Sequence, residues 1–122
     1  MRYLKIFLIS LILATVTISV SSAQEIQVLD RTPFAYQRLG VTTAAVRQLD
    51  STYRNQATAI FVTVETNNIR YRIDGGDPSI TEGHLVVAGL YQNIYIVDPS
   101  SIRNLRMIGI GGTSIVTVTY YR

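Results

Sequence analysis

Beyond residue 57 the chain alternates apolar and other side chains with a period of two. Ile60, Val62 and Val64 alternate with Phe61, Thr63 and Glu65, and Ile69, Tyr71 and Ile73 with Arg70, Arg72 and Asp74. Ile94 and Ile96 alternate with Tyr95 and Val97, and Val116, Val118 and Tyr120 with Ile115, Thr117, Thr119 and Tyr121. Residues two apart on an extended chain share a face, so each run predicts a half-buried strand. Turn-forming clusters separate the runs: Asn67-Asn68, Gly75-Gly76-Asp77-Pro78, Asp98-Pro99-Ser100 and Gly111-Gly112. Short strands at this spacing predict an all-β fold, a small antiparallel β-sandwich or jelly-roll-like domain. Thr42 to Tyr53 comes nearest to a helical stripe. Gly40 and the β-branched Val41-Thr42-Thr43 nevertheless favour a strand followed by a turn.

Two hairpins follow from the turns. A two-residue turn at Asn67-Asn68 sets Glu65 opposite Arg70, Val64 opposite Tyr71 and Val62 opposite Ile73. A turn at Gly111-Gly112 sets Met107 opposite Val116, Leu105 opposite Val118, and Arg103 over the ring of Tyr120. Val62, Val64, Tyr71 and Ile73 then form one buried patch, and Leu105, Met107, Val116 and Val118 another. A slip of one residue would turn every apolar residue outward, so each register is a sharp expectation. Ser114 to Tyr121 holds no Pro, Lys or internal charge. An edge strand is usually blunted by such residues, so this one belongs inside a sheet or against another subunit.

The N-terminal segment has a different pattern. Arg2 and Lys5 precede an apolar stretch from Ile6 to Val20, and Ser21, Ser22 and Ala23 follow it. Basic, apolar and small-residue parts in that order predict a signal peptide over residues 1–23, cleaved after Ala23, or a retained hydrophobic anchor. The stretch is short for a spanning helix and is interrupted by Ser10, Thr15, Thr17 and Ser19. Residues 24–122 then form a single β-sandwich domain.

Composition narrows the chemistry. Of 122 residues, 48% are hydrophobic and 16% charged, which excludes a disordered chain. From Gln24 onward nine Arg stand against eight Asp and Glu, a net charge of +1 and too little for a nucleic-acid-binding stripe. The absence of Cys excludes disulfides and a thiol nucleophile, and a single His excludes a multi-His metal site. No cofactor is expected.

Individual candidates weaken on inspection. Asp74, Asp77, Glu82 and His84 lack the alternating oxygen ligands of a calcium loop, and a solvated turn accounts for them. Ser79 near His84 has no strand-to-helix elbow around it, so no catalytic residue is assigned and an enzyme is not expected. Gly109 to Ser114 is glycine-rich but has no Lys beside its Ser or Thr to hold phosphate. Arg70 and Arg72 point to one side of their strand. They suit an anion or an acidic partner, or cross-strand pairing with Glu65 and Asp74. After Gln24 every basic residue but His84 is Arg, which favours interface use, and the eight Tyr suit sugar stacking or protein contact. The expected interaction surface is Arg70, Arg72, Tyr95, Arg103 and Tyr121.

Between Ala57 and Arg122 stand ATAIFVTVE (Ala57 to Glu65), IRYRIDGGDPS (Ile69 to Ser79), GHL (Gly83 to Leu85), IRNLR (Ile102 to Arg106) and VTYY (Val118 to Tyr121). In this order the motifs resemble a group of small proteins encoded among the structural genes of tailed bacteriophages. The resemblance implies a β-sandwich virion component without enzymatic activity, a structural or decoration protein. It would meet other protein chains in a symmetric homo-oligomer, without nucleic acid, and with membrane only if residues 1–23 are retained. The expected location is the virion, or the periplasm or exterior if the signal is used. The alternative is a secreted or periplasmic β-sandwich that binds a glycan or a cell-surface partner.

Overall fold

The computed structural model describes residues 30–89 and 93–122, and the signal or anchor expected over residues 1–23 lies outside them. Residues 31–122 make one compact unit. Its elements are β1 (Pro33–Val41), β2 (Arg47–Gln48), α1 (Ser51–Arg54), β3 (Ala59–Val64), β4 (Ile69–Arg72), β5 (His84–Val86), β6 (Ile94–Ile96), α2 (Pro99–Asn104), β7 (Arg106–Gly109) and β8 (Ser114–Tyr121). The fold is all-β. Two antiparallel four-stranded sheets run β1-β8-β3-β6 and β2-β7-β4-β5.

The pairing is nested, with β1 on β8, β2 on β7, β3 on β6 and β4 on β5. Two further ladders, β3 with β8 and β4 with β7, close the sheets. The chain therefore behaves as one long hairpin rolled over on itself. Both sheets contribute to a single core, with Leu39, Ile60, Val62, Val116, Val118 and Tyr120 from the first and Ile69, Val86 and Met107 from the second. Burial along β8 alternates strictly, so Val116, Val118 and Tyr120 point inward as their spacing predicts. β8 also lies between β1 and β3, one of the two places expected from its lack of charge.

The two predicted hairpins do not form. β3 and β4 belong to different sheets, and so do β7 and β8. Val62 faces Val118 and Ile94, Val64 faces Val116, and Tyr71 faces Met107 and His84. Glu65 does not meet Arg70; its N–H donates to the Ile115 carbonyl at 2.8 Å. The Asn67-Asn68 segment is a corner between sheets, and it runs beside the Gly111-Gly112 corner. Their polar groups satisfy each other. Asn67 Nδ2 donates to the Thr113 carbonyl at 2.8 Å, the Ile115 N–H donates to Thr66 Oγ1 at 2.9 Å, and the Ile110 N–H donates to the Asn68 carbonyl at 2.8 Å. Gly111 has φ of 76°, a left-handed conformation that side chains resist. Neither asparagine adopts the left-handed backbone a two-residue hairpin turn needs, and both corners serve a crossing instead of a reversal.

Other expectations change with the topology. Ile73 lies past the end of β4 and is 37% exposed, so it leaves the buried patch. The proposed separate patches are parts of one core. Thr42 to Tyr53 yields only the two-residue β2 and then α1, started by Asp50, whose carboxylate accepts the Thr52 N–H at 2.8 Å. Asp98-Pro99-Ser100 is not a turn but the start of α2. Asp98 accepts from the Ser101 N–H at 3.0 Å, and Pro99 occupies a first-turn position where a missing N–H costs nothing. Arg103 therefore sits on α2 and does not cover Tyr120. That ring lies against Tyr53 at 5.3 Å and Phe34 at 6.2 Å, and its hydroxyl donates to Gln37 Oε1. Burial raises the Tyr120 hydroxyl pKa, holding it as the donor this contact needs.

The two faces of β8 should differ in measured stability. Val118→Ala empties fully buried space and should cost about 1–3 kcal/mol. Thr117→Ala loses a half-buried hydroxyl contact with Thr63 and should cost about 1 kcal/mol or less. Ser114 Oγ is buried with no hydrogen-bond partner among the described residues, so Ser114→Ala should be neutral or stabilising. Urea unfolding of the three variants gives this ranking, and a larger loss at Thr117 than at Val118 would reverse the assigned faces.

Candidate functional site

The outward faces of the two sheets differ in chemistry. On β4, Arg70 and Arg72 project outward beside Leu85 of β5 and Arg106 of β7. The loop of residues 73–83 folds back over this surface and consumes its charge. Arg70 donates to the Ile80 carbonyl at 3.1 Å and to the Gly83 carbonyl at 2.9 Å. Arg72 forks onto Asp74 with bonds of 3.0 and 2.6 Å, and Arg106 pairs with Asp77. Pro78 of the loop is buried, and Ile108 of β7 is only 9% exposed. Arg70 and Arg72 are thus tethers for a loop, not a free anion site, and Glu65 is not their partner.

Beside the loop lies an open depression of about 460 Å³ lined by Arg72, Ile73, Asp74, Glu82, Gly83 and His84. The His84 ring lies 5.2 Å from that of Tyr71, its direct partner in the β4–β5 ladder. Hydrogen bonds from Arg72 and from the Gly76 N–H hold the Asp74 carboxyl well below its ordinary value, at about 2. Its charge is already matched. Among the described residues no group of three or more His, Asp or Glu is placed to hold a metal ion.

The first sheet is the reverse. Its outward positions form rows across the strands, and one row reads Tyr36, Thr119, Phe61, Tyr95. The next reads Arg38, Thr117, Thr63, with the two threonine hydroxyls in contact. The Phe61 and Tyr95 rings lie 4.7 Å apart, and Tyr36 and Tyr95 are 63% and 52% exposed. Tyr121 lies on the same face, half-buried opposite Ala59.

The five expected interaction residues therefore do not converge. Arg70 and Arg72 lie on one sheet, Tyr95 and Tyr121 on the other, and Arg103 is exposed on α2. Sequence reasoning passed over Tyr36 and Phe61. The alternation places Phe61 opposite the inward Ile60 and Val62, but only the β1–β8–β3–β6 order lines it up with Tyr36 and Tyr95. No family model matches the chain, and neither a curated protein nor a solved structure matches it.

The Arg72–Asp74 contact makes an acid-side prediction. A carboxyl whose folded pKa is depressed stabilises the fold above its unfolded value and loses that contribution as pH falls through the folded value. The window here runs from 3.8 down to about 2. An NMR titration of the Asp74 carboxyl should have its midpoint at about 2, and Arg72→Ala should return it toward 3.8. Both groups are solvent-exposed, so the effect on global stability should be small. An unchanged midpoint in Arg72→Ala would remove the guanidinium as the cause.

Proposed function

We propose that the chain is a non-enzymatic jelly-roll module that assembles with other protein chains, as a structural or decoration component of a phage-like particle. The nested pairing of eight strands supports the jelly-roll reading, an architecture used by capsid and lectin domains among others. The motifs from Ala57 to Tyr121 support the phage resemblance. Fold alone does not assign a role, and the sheet edges supply what it leaves open.

One edge carries the reading. β2, β5 and β6 are edge strands of two or three residues, too short to template another strand. β1 has nine residues and, among the described residues, pairs on one side only. The backbone of Thr32 and Arg122 bonds mutually, while Tyr121 and Ile115 bond toward β3. Alternation then turns the N–H groups of Tyr36, Arg38 and Gly40 away from β8. This long edge suits strand pairing with a second chain, and the homo-oligomer would form there.

Gly40→Pro tests the edge. It removes an outward N–H, a substitution edge strands tolerate, and a Cβ at Gly40 would meet only Thr113 Cγ2 at 3.8 Å. Sedimentation of the full chain, with and without residues 1–23, should show an oligomer that Gly40→Pro reduces to monomer with little change in thermal midpoint. Proteomics of purified particles should find the chain there. A strict monomer absent from particles would reject the role.

A further inference from the structure

The geometry points to the outward face of the β1-β8-β3-β6 sheet as a binding platform for an uncharged polysaccharide, laid across the strands along Tyr36, Thr119, Phe61 and Tyr95. This goes beyond the assembly role and does not depend on it, since the face and the β1 edge are different surfaces.

Three observations carry it. First, the aromatic side chains lie in one row perpendicular to the strands, fixed by the Tyr36–Thr119–Phe61–Tyr95 register. With strands about 4.8 Å apart, the row extends roughly 14 Å, the scale of a short oligosaccharide. Its end members are the most exposed, Tyr36 at 63% and Tyr95 at 52%. An aromatic face stacks on the apolar face of a sugar ring, and a phenolic hydroxyl remains free to bond its edge.

Second, hydroxyls border the row. Thr119 lies within it, Thr117 and Thr63 form the adjacent row, and all three are half-buried on this face. Third, charge separates the two sheets. The outer surface of β2-β7-β4-β5 is dense in Arg, Asp and Glu and is covered by its own loop. Along the paired positions of β1, β8, β3 and β6, the platform carries Arg38 as its single outward charge. A charged partner would find almost nothing to match it there. A neutral polyol finds rings and hydroxyls.

Affinity electrophoresis of the full chain in native gels containing dextran, hydroxyethylcellulose or galactomannan tests the platform. At least one of these should retard the wild-type chain. The double variant Tyr36→Ala, Tyr95→Ala should bind about tenfold more weakly or worse, from the loss of two stacking rings. Tyr36→Phe, which keeps the ring, should retain most of the retardation, as should Arg72→Ala on the other sheet. Both tyrosines are exposed, and an unchanged circular dichroism spectrum and thermal midpoint would establish that the double variant folds. Gly40→Pro should keep its polysaccharide binding whatever its oligomeric state, which separates this proposal from the assembly role. The proposal falls if none of the three polysaccharides retards the wild type, if only acidic alginate does, or if the double variant binds equally well. It also falls if the double variant instead abolishes a concentration-dependent dimer, since the face would then be a contact between copies.

Discussion

The insertion of β8 between β1 and β3 is the contact on which the rest of the molecule depends. All eight residues of this strand pair with β1, and the six from Val116 to Tyr121 also pair with β3, with partners far away in sequence. Once it is seated, Val116, Val118 and Tyr120 become the floor of the core, and the opposite residues become the middle of an exposed face. With both sides of β8 occupied, β7 cannot pair with it and joins the other sheet, the four residues between Gly109 and Ser114 spanning the crossing. β4 follows for the same reason on the neighbouring corner. Tyr120 anchors the end of the strand by joining Phe34, Tyr53 and Gln37 around one buried ring.

The two crossing corners illustrate how backbone polarity is handled where ladders stop. Groups that leave a sheet lose their regular partners and must find others when water is excluded. Here Thr66, Asn67 and Asn68 supply those partners to Ile110, Thr113 and Ile115, and Asn68 Oδ1 also accepts the Ala88 N–H at 3.0 Å. A second such device secures the 73–83 loop, where Arg70 supplies donors to two carbonyls. In both places polar side chains hold irregular backbone, and Arg70 is one that looked available for function. What stays available is the face whose side chains make few internal polar bonds, and the edge whose backbone is unpaired.

Much of the local structure was legible in the residues. Inward and outward positions along β3, β6 and β8 were readable from alternation, because successive side chains of an extended backbone project to opposite sides whatever the partner. The glycines marking changes of direction, Gly75 and Gly111 among them, were readable because few other residues accept the backbone angles required. That β8 is paired on both sides, within a sheet or against another subunit, was readable from what it lacks. Both short helices were overlooked, since four and six residues are too few to display a helical period, although Asp50 and Asp98 are suitable caps and Pro99 a suitable first residue.

Strand partners were not legible, and with them went the candidate site. A turn-forming pair specifies that the chain bends but not whether it returns to its own sheet or crosses to the other. That choice depends on contacts such as Thr63 with Thr117, separated by 54 positions. Nothing in the local sequence around either residue encodes the other. The residues by themselves therefore determined which side chains of β3, β6 and β8 face in and which face out, and most of the places where the chain bends. Tertiary structure alone decided which outward residues stand together, because cross-strand rows are made by pairing, and pairing is settled by burying one common core.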